Sequence, residues 1–115
     1  MIAMILAAGR GERLRPITDE MPKALVEVDG ESLLERHLRF LAEVNISTVV
    51  INLGWLGERI VERIGCGSQF GLQVVYSPEF DGVLETGGGI RRALPLLGKK
   101  PFWVINADTY TEFQL

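Results

Sequence analysis

Residues 2–7 read Ile-Ala-Met-Ile-Leu-Ala, an apolar run without a polar interruption, and Gly9 follows closely behind it. A half-exposed strand alternates apolar and polar residues. A strand that is apolar at every position is buried on both faces, as in a parallel sheet covered by helices. Residues 48–53, Thr-Val-Val-Ile-Asn-Leu, repeat the pattern with β-branched residues. Residues 72–76 and 102–105 are two further strand candidates.

Helices fit between these runs. Ser32 and Glu35 form a capping box, in which each side chain satisfies a free amide of the first turn. Leu34, Leu38 and Leu41 then recur at helical spacing, and Asn45 is the expected stop. Leu56, Ile60 and Ile64 form a second stripe ending at Gly65. A third helix is expected to start near Thr86 and run through Ile90, Ala93 and Leu94, with Pro95 ending or kinking it. This alternation predicts an α/β layered fold with right-handed crossovers.

Composition narrows the function classes. The 115 residues make one domain and are too few for two. With 47% hydrophobic and 23% charged residues the chain is globular. Its mean hydropathy of +0.18 is high for so small a domain; either its elements are buried on both faces or an apolar face expects a partner. A net charge of -3 excludes the broad basic field of a nucleic-acid binder but leaves room for a local anion site. One cysteine excludes a disulfide framework and a thiolate metal cluster. No apolar run approaches the roughly 20 residues of a membrane span. The opening run lacks a preceding basic segment, so a signal peptide is not expected and a cytoplasmic location is.

In a parallel sheet all C-terminal strand ends lie along one edge, and ligands bind outside that edge. Four segments converge there: the loop from Gly9, the segments after Asn52 and after Ser77, and residues 106–108. The first reads Ala7-Ala8-Gly9-Arg10-Gly11-Glu12-Arg13-Leu14-Arg15-Pro16. Its glycines let backbone amides approach an anion, and its arginines neutralise phosphate charge. It is neither a Gly-Lys-Ser/Thr phosphate loop nor a dinucleotide fingerprint, because Leu14 replaces the third glycine. The competing reading is a glycine turn with solvated arginines. Asp29 lies at the distance of a ribose-binding acid but adjoins Gly30 in an apparent turn. Pro22 precedes Lys23, with Ala24 and Leu25 after it, an arrangement suited to aiming an ammonium. Glu85-Thr86-Gly87-Gly88-Gly89 opens the third helix, with Thr86 as the N-cap. Each glycine there costs about 1 kcal/mol relative to alanine if helical, so either a nucleotide lies close to the backbone or the segment is a tight turn. Asp108, at the end of the fourth strand, suits Mg²⁺; its alternative role is an Asx turn or helix cap.

The pattern Leu6, Ala7, Ala8, Gly9, Gly11, Arg13, Pro16, Thr18, then Pro22, Lys23, Leu25, then Val28 and Gly30, resembles the sugar-1-phosphate nucleotidyltransferase family. The likeness continues through residues 85–90 and 106–108, and so covers the chain. Within the family, residues 76–79, 85–90 and 93–98 resemble most the branch that transfers uridylyl groups to N-acetylmuramate 1-phosphate, with the mannose-1-phosphate guanylyltransferases as the alternative.

The resemblance implies a Rossmann-like three-layer sandwich with a mainly parallel sheet, the nucleotide-diphospho-sugar transferase fold. It implies transfer from a nucleoside triphosphate to a sugar 1-phosphate with loss of pyrophosphate and with Mg²⁺ as cofactor. Ala7, Ala8, Gly9, Gly11, Glu12 and Arg13 are then nucleotide-binding, with the amides of Ala8, Gly9 and Gly11 cradling phosphates. Arg13 holds the triphosphate and the departing pyrophosphate, and Lys23 lies near the α-phosphate. Thr86, Gly87 and Gly88 line the base and ribose pocket, Asn106 holds nucleotide or sugar, and Asp108 ligates the metal. Ala107 stands where many members carry glycine. Members of the family run well beyond this length, so residues 1–115 read as the nucleotide-binding N-terminal part of the domain, truncated or naturally short. The alternatives are a nucleotide-binding module without transfer activity and a cytidylyltransferase for a small alcohol phosphate. Self-association through an exposed sheet edge is a further expectation. His37 reads as a surface or partly packed residue, Cys66 as a bystander, Trp55 and Trp103 as packed on the sheet, and Lys99 and Lys100 as a solvated turn.

Overall fold

The computed structural model describes residues 2–8, 20–54, 56–79, 86–98 and 102–107, and for Val28, residues 86–90 and Arg92 the backbone alone. In chain order these form β1 (Ile2–Leu6), a 3-10 turn (Lys23–Leu25), β2 (Glu27–Val28), β3 (Glu31–Ser32), α1 (Leu33–Glu43), β4 (Thr48–Leu53), α2 (Gly57–Ile64), a second 3-10 turn (Ser68–Phe70), β5 (Gln73–Pro78), α3 (Thr86–Leu97) and β6 (Phe102–Asn106).

The four longer strands make one parallel sheet in the order β5-β4-β1-β6. The apolar run of β1 is buried on both sides, as its composition requires. Ala3, Ile5 and Ala7 join Val49, Ile51 and Val74 under Leu34, Leu38 and Leu41 of α1 and Ile60 and Ile64 of α2. Met4 and Leu6 join Val50 under Ala93 and Leu97 of α3. The result is three layers: α1 and α2 on one face, the sheet, and α3 on the other. Among the described residues no helix is long and apolar enough to cross a membrane.

Local chemistry sets the element ends. The Ser32 hydroxyl accepts from the Glu35 amide at 3.1 Å and donates to the Glu35 carboxylate at 2.8 Å, which starts α1 where the capping box predicts. Asn45 takes the left-handed conformation (φ 66°), and the Ile46 amide closes back onto the Leu41 carbonyl, so α1 stops there. Asp29 (φ 55°) and Gly30 (φ 81°) form the two-residue turn of the β2–β3 hairpin. Asp29 is therefore a turn residue, with its carboxylate 3.6 Å from Arg36.

Three expectations need correction. The third helix does not end at Pro95 but runs through it to Leu97, and Gly98 (φ 78°), whose amide reaches Leu94 O at 3.1 Å, closes it. Burial of Leu97 against the sheet outweighs the N–H that proline lacks. β5 starts one residue later and runs two residues further than its apolar content suggests. Ser77 and Pro78 still pair with Asn52 and Leu53, and the proline is tolerated at the end of an outer strand of this sheet. Trp103 does not pack on the sheet but is 58% exposed, beside Val104 at 43%, because β6 is the outer strand of the described sheet.

Candidate functional site

The helices that lead away from β1 lie on one face, and the helix that leads back to β6 lies on the other. The connections thus diverge at the β1/β6 boundary. In open α/β sheets the crevice beyond the C-terminal strand ends at such a boundary is where ligands bind. The chain ends flanking it are Ala7 and Ala8 after β1, and Asn106 and Ala107 at β6.

These two strand ends are fastened together. The Ala107 amide donates to Leu6 O at 3.1 Å, and Asn106 stands in register with Leu6. On the other side of β1, pairing with β4 stops at Ile5 and Ile51. There the side chain of Asn52 takes over. Its Oδ1 accepts from the Ala7 amide at 2.5 Å and the Ala8 amide at 3.2 Å, and its Nδ2 donates to Glu79 Oε1 at 3.1 Å. All of these groups are buried. The Ala8 amide therefore faces Asn52 in this structure, whereas the resemblance aims it at a phosphate.

Lys23 opens the 3-10 turn behind Pro22, whose extended backbone (φ -67°, ψ 149°) starts it. Pro22, Ala24 and Leu25 are buried while Lys23 between them is half-buried. The flanking apolar residues thus fix the backbone that carries the ammonium. Ala7, Ala24 and Ala107 are all fully buried members of one core cluster. Each adjoins a candidate segment: the glycine-arginine loop, Lys23 and Asp108.

Thr86 is the first residue of α3, so Gly87, Gly88 and Gly89 lie within its first turn and are helical, not a tight turn. α3 leads from the end of β5 back to the start of the parallel strand β6, which puts its first turn at the C-terminal edge. Asn106 is exposed at the end of β6. Gly9, Gly11, Glu12, Arg13 and Asp108 lie outside the described residues, as do Trp55, Lys99 and Lys100.

The remaining candidates fall elsewhere. His37 is buried on the inner face of α1, not at the surface, because it lies one helical step from Leu34 and Leu41. Cys66 is exposed in the α2–β5 connection, at the opposite edge of the sheet. Ser68 hydrogen-bonds its sulfur and lowers the thiol pKa. Burial, with a smaller contribution from Cys66, raises the pKa of Tyr76, whose hydroxyl donates to Gly65 O at 2.6 Å.

The residue patterns touch Asn52 and Glu79, as the end of a strand and as part of the stretch 76–79, but assign neither a role. The available signal was a polar residue inside an otherwise apolar strand, which must find partners when buried.

The nucleotidyl transferase family model matches residues 2–115. The N-acetylmuramate alpha-1-phosphate uridylyltransferase of Neisseria meningitidis serogroup B is 53% identical over 97% of this chain and 48% of its own length. That of Caulobacter vibrioides is 43% identical over 94% of this chain and 46% of its own. A solved Bacillus anthracis structure superposes with a TM-score of 0.86 at 25% identity, covering 94% of this chain and 44% of that one. The chain thus spans about half the length of these relatives, and its sheet of parallel strands between helix layers is the Rossmann-like arrangement of the nucleotidyltransferases. The chain belongs to the nucleotidyl transferase family.

Proposed function

We propose that the protein to which this chain belongs transfers a uridylyl group from UTP to N-acetylmuramate 1-phosphate, releasing pyrophosphate. The observation that carries this reading is the 53% identity to a uridylyltransferase of that specificity across 97% of the chain. An oxygen of the sugar phosphate attacks the α-phosphorus, the bond from that phosphorus to the bridging oxygen breaks, and pyrophosphate leaves in line. No covalent enzyme intermediate is involved, so the protein's work is positioning and charge neutralisation.

The roles are those the family resemblance implies for each residue, and the chemistry of each suits its role. Arg13 binds the β- and γ-phosphates through a fork of N–H donors and stabilises the leaving pyrophosphate. Lys23 places its ammonium beside the α-phosphate. The amides of Gly9 and Gly11, next to Glu12, approach the phosphates closely, with Ala7 and Ala8 holding the root of that loop. Thr86, Gly87 and Gly88 present open backbone to base and ribose. Asn106 contacts nucleotide or sugar. Asp108 offers the oxygen donor that Mg²⁺ prefers, and it directly follows Ala107, which is tied to β1. When bound, the metal supplies positive charge to the triphosphate oxygens.

The test is pyrophosphate release from a panel of UTP, GTP and CTP with N-acetylmuramate 1-phosphate, mannose 1-phosphate and phosphocholine, each with Mg²⁺. It is run on this chain and on the full-length protein. Turnover confined to UTP with the muramate ester supports the reading. Preference for GTP with mannose 1-phosphate or CTP with phosphocholine replaces it. Nucleotide binding without release by the full-length protein leaves a binding module in its place.

A further inference from the structure

The β1–β4 ladder ends at Ile5 and Ile51, yet the next amides beyond β1, those of Ala7 and Ala8, are not left open. Both donate to Asn52 Oδ1. A carboxamide has one oxygen and one NH₂ group, and two converging N–H donors fix which end faces β1. The NH₂ group then points away from β1 toward β5, where Glu79 Oε1 receives it at 3.1 Å. Glu79 is itself held, because its amide donates to Leu53 O at 2.9 Å. Asn52 and Glu79 are 4% and 7% exposed, so the arrangement is shielded from competing water. A second restraint comes from Gly54, which approaches Ala8 so closely that a Cβ there would overlap the Ala8 backbone.

We propose that Asn52 is a positioning residue for nucleotide binding, with Glu79 as its anchor. Together they set where the backbone leaves β1 for the glycine-arginine loop. The inference rests on the nucleotidyl-transfer reading above. Asn52 does not touch substrate. It fixes the direction of Ala7 and Ala8, from which the chain continues into the glycine-arginine loop. A loop whose root swings freely has to be ordered by the ligand, which weakens binding.

The test uses the full-length protein and two readouts: hydrogen exchange at the Ala7 and Ala8 amides, and UTP affinity by calorimetry. Asn52→Ala is expected to speed exchange at both amides by roughly tenfold or more, and to weaken UTP by about tenfold, with Val50 protected as in wild type. Asn52→Asp keeps the acceptor but sets two carboxyl groups against each other where the 3.1 Å bond now lies, and it is expected to lose both properties. Adding Glu79→Gln supplies a new amide donor to the aspartate at position 52. The double variant is expected to return to within about threefold of wild type in both readouts. Wild-type exchange and affinity in Asn52→Ala, or a double variant no better than Asn52→Asp, overturns the proposal. If Asn52→Ala does not fold, the comparison of Asn52→Asp with the double variant decides alone. Wild-type protein that binds none of UTP, GTP and CTP refutes the nucleotidyl-transfer reading and, with it, the binding role given to Asn52, while the exchange readout still decides whether Asn52 holds the loop root.

Discussion

Replacing Gly54 by alanine should damage both stability and nucleotide binding, for one steric reason. A Cβ at this position falls 2.9 Å from the Ala8 Cβ and 3.1 Å from its carbonyl carbon, and closer still to the carbonyl oxygen. These are backbone-bound atoms that cannot rotate aside. They are also fastened in place, since the Ala8 amide is held by Asn52. Overpacking of this kind costs about 1–3 kcal/mol. Gly54 does not have a positive φ, so alanine adds no backbone strain and recovers about 0.4–1 kcal/mol by restricting the unfolded chain. The net loss is about 0–2.6 kcal/mol, centred on about 1.3 kcal/mol, which lowers a urea midpoint by about 0.6 M with the slope unchanged. The same displacement pushes on the root of the glycine-arginine loop, so UTP affinity should fall as well. Gly71→Ala is the control. A Cβ there meets nothing within 4 Å but takes φ +74°, so it should cost about 1 kcal/mol from the left-handed backbone alone and leave UTP affinity unchanged. If Gly54→Ala matches wild type in both measurements, the close approach of Gly54 to Ala8 is not a restraint and the reasoning is wrong.

Other perturbations test the frame. Leu38→Ala empties a fully buried site between α1 and the sheet and should cost about 2–5 kcal/mol by denaturation; a loss below 1 kcal/mol would contradict the assigned core. Ser32→Ala removes the α1 cap and should cost about 1 kcal/mol. It should also raise the Glu35 pKa in a carboxyl NMR titration. Burial pushes Glu35 upward, but the Ser32 hydroxyl and the Arg63 guanidinium outweigh it and hold the carboxyl below its ordinary value. The unfolded chain therefore takes up this proton at higher pH than the folded one. The stabilisation is present above the unfolded value, roughly 4.3, and is lost as pH falls through the lowered folded value. Glu35→Gln should cost under about 1 kcal/mol at pH 7, with the gap closing below that range. A gap that widens on acidification would refute the assignment.

What was readable in the sequence was mostly what neighbouring residues decide. The uninterrupted apolar run at 2–7 required a doubly covered strand, and β1 is one. The Ser32–Glu35 spacing and Asn45 marked both ends of α1, because capping is settled within a few positions. The exceptions were settled at a distance. Pro95 stays helical because Leu97 packs on strands far away in the chain. Ser77 and Pro78 extend β5 because β4 offers them partners. Trp103 is exposed because β6 is an outer strand of the described sheet, which its apolar sequence does not reveal. Asn52 reaches Ala7 across 45 residues and Glu79 across 27, and no local pattern encodes such a contact. For the site, motif spacing pointed to Lys23 and the strand ends, and the β1–β6 register with the Ala107–Leu6 hydrogen bond shows how the two strand ends are held together.

The claim that the C-terminal edge of this sheet receives the triphosphate of UTP is tested most directly by calorimetric titration of UTP with Mg²⁺ into wild type, Arg13→Ala and Lys23→Ala. Wild type is expected to bind, and each variant should lose about tenfold or more in affinity while keeping its fold by circular dichroism, as expected for lost charge-assisted phosphate contacts. No binding by wild type, or equal affinity in all three proteins, would contradict the account.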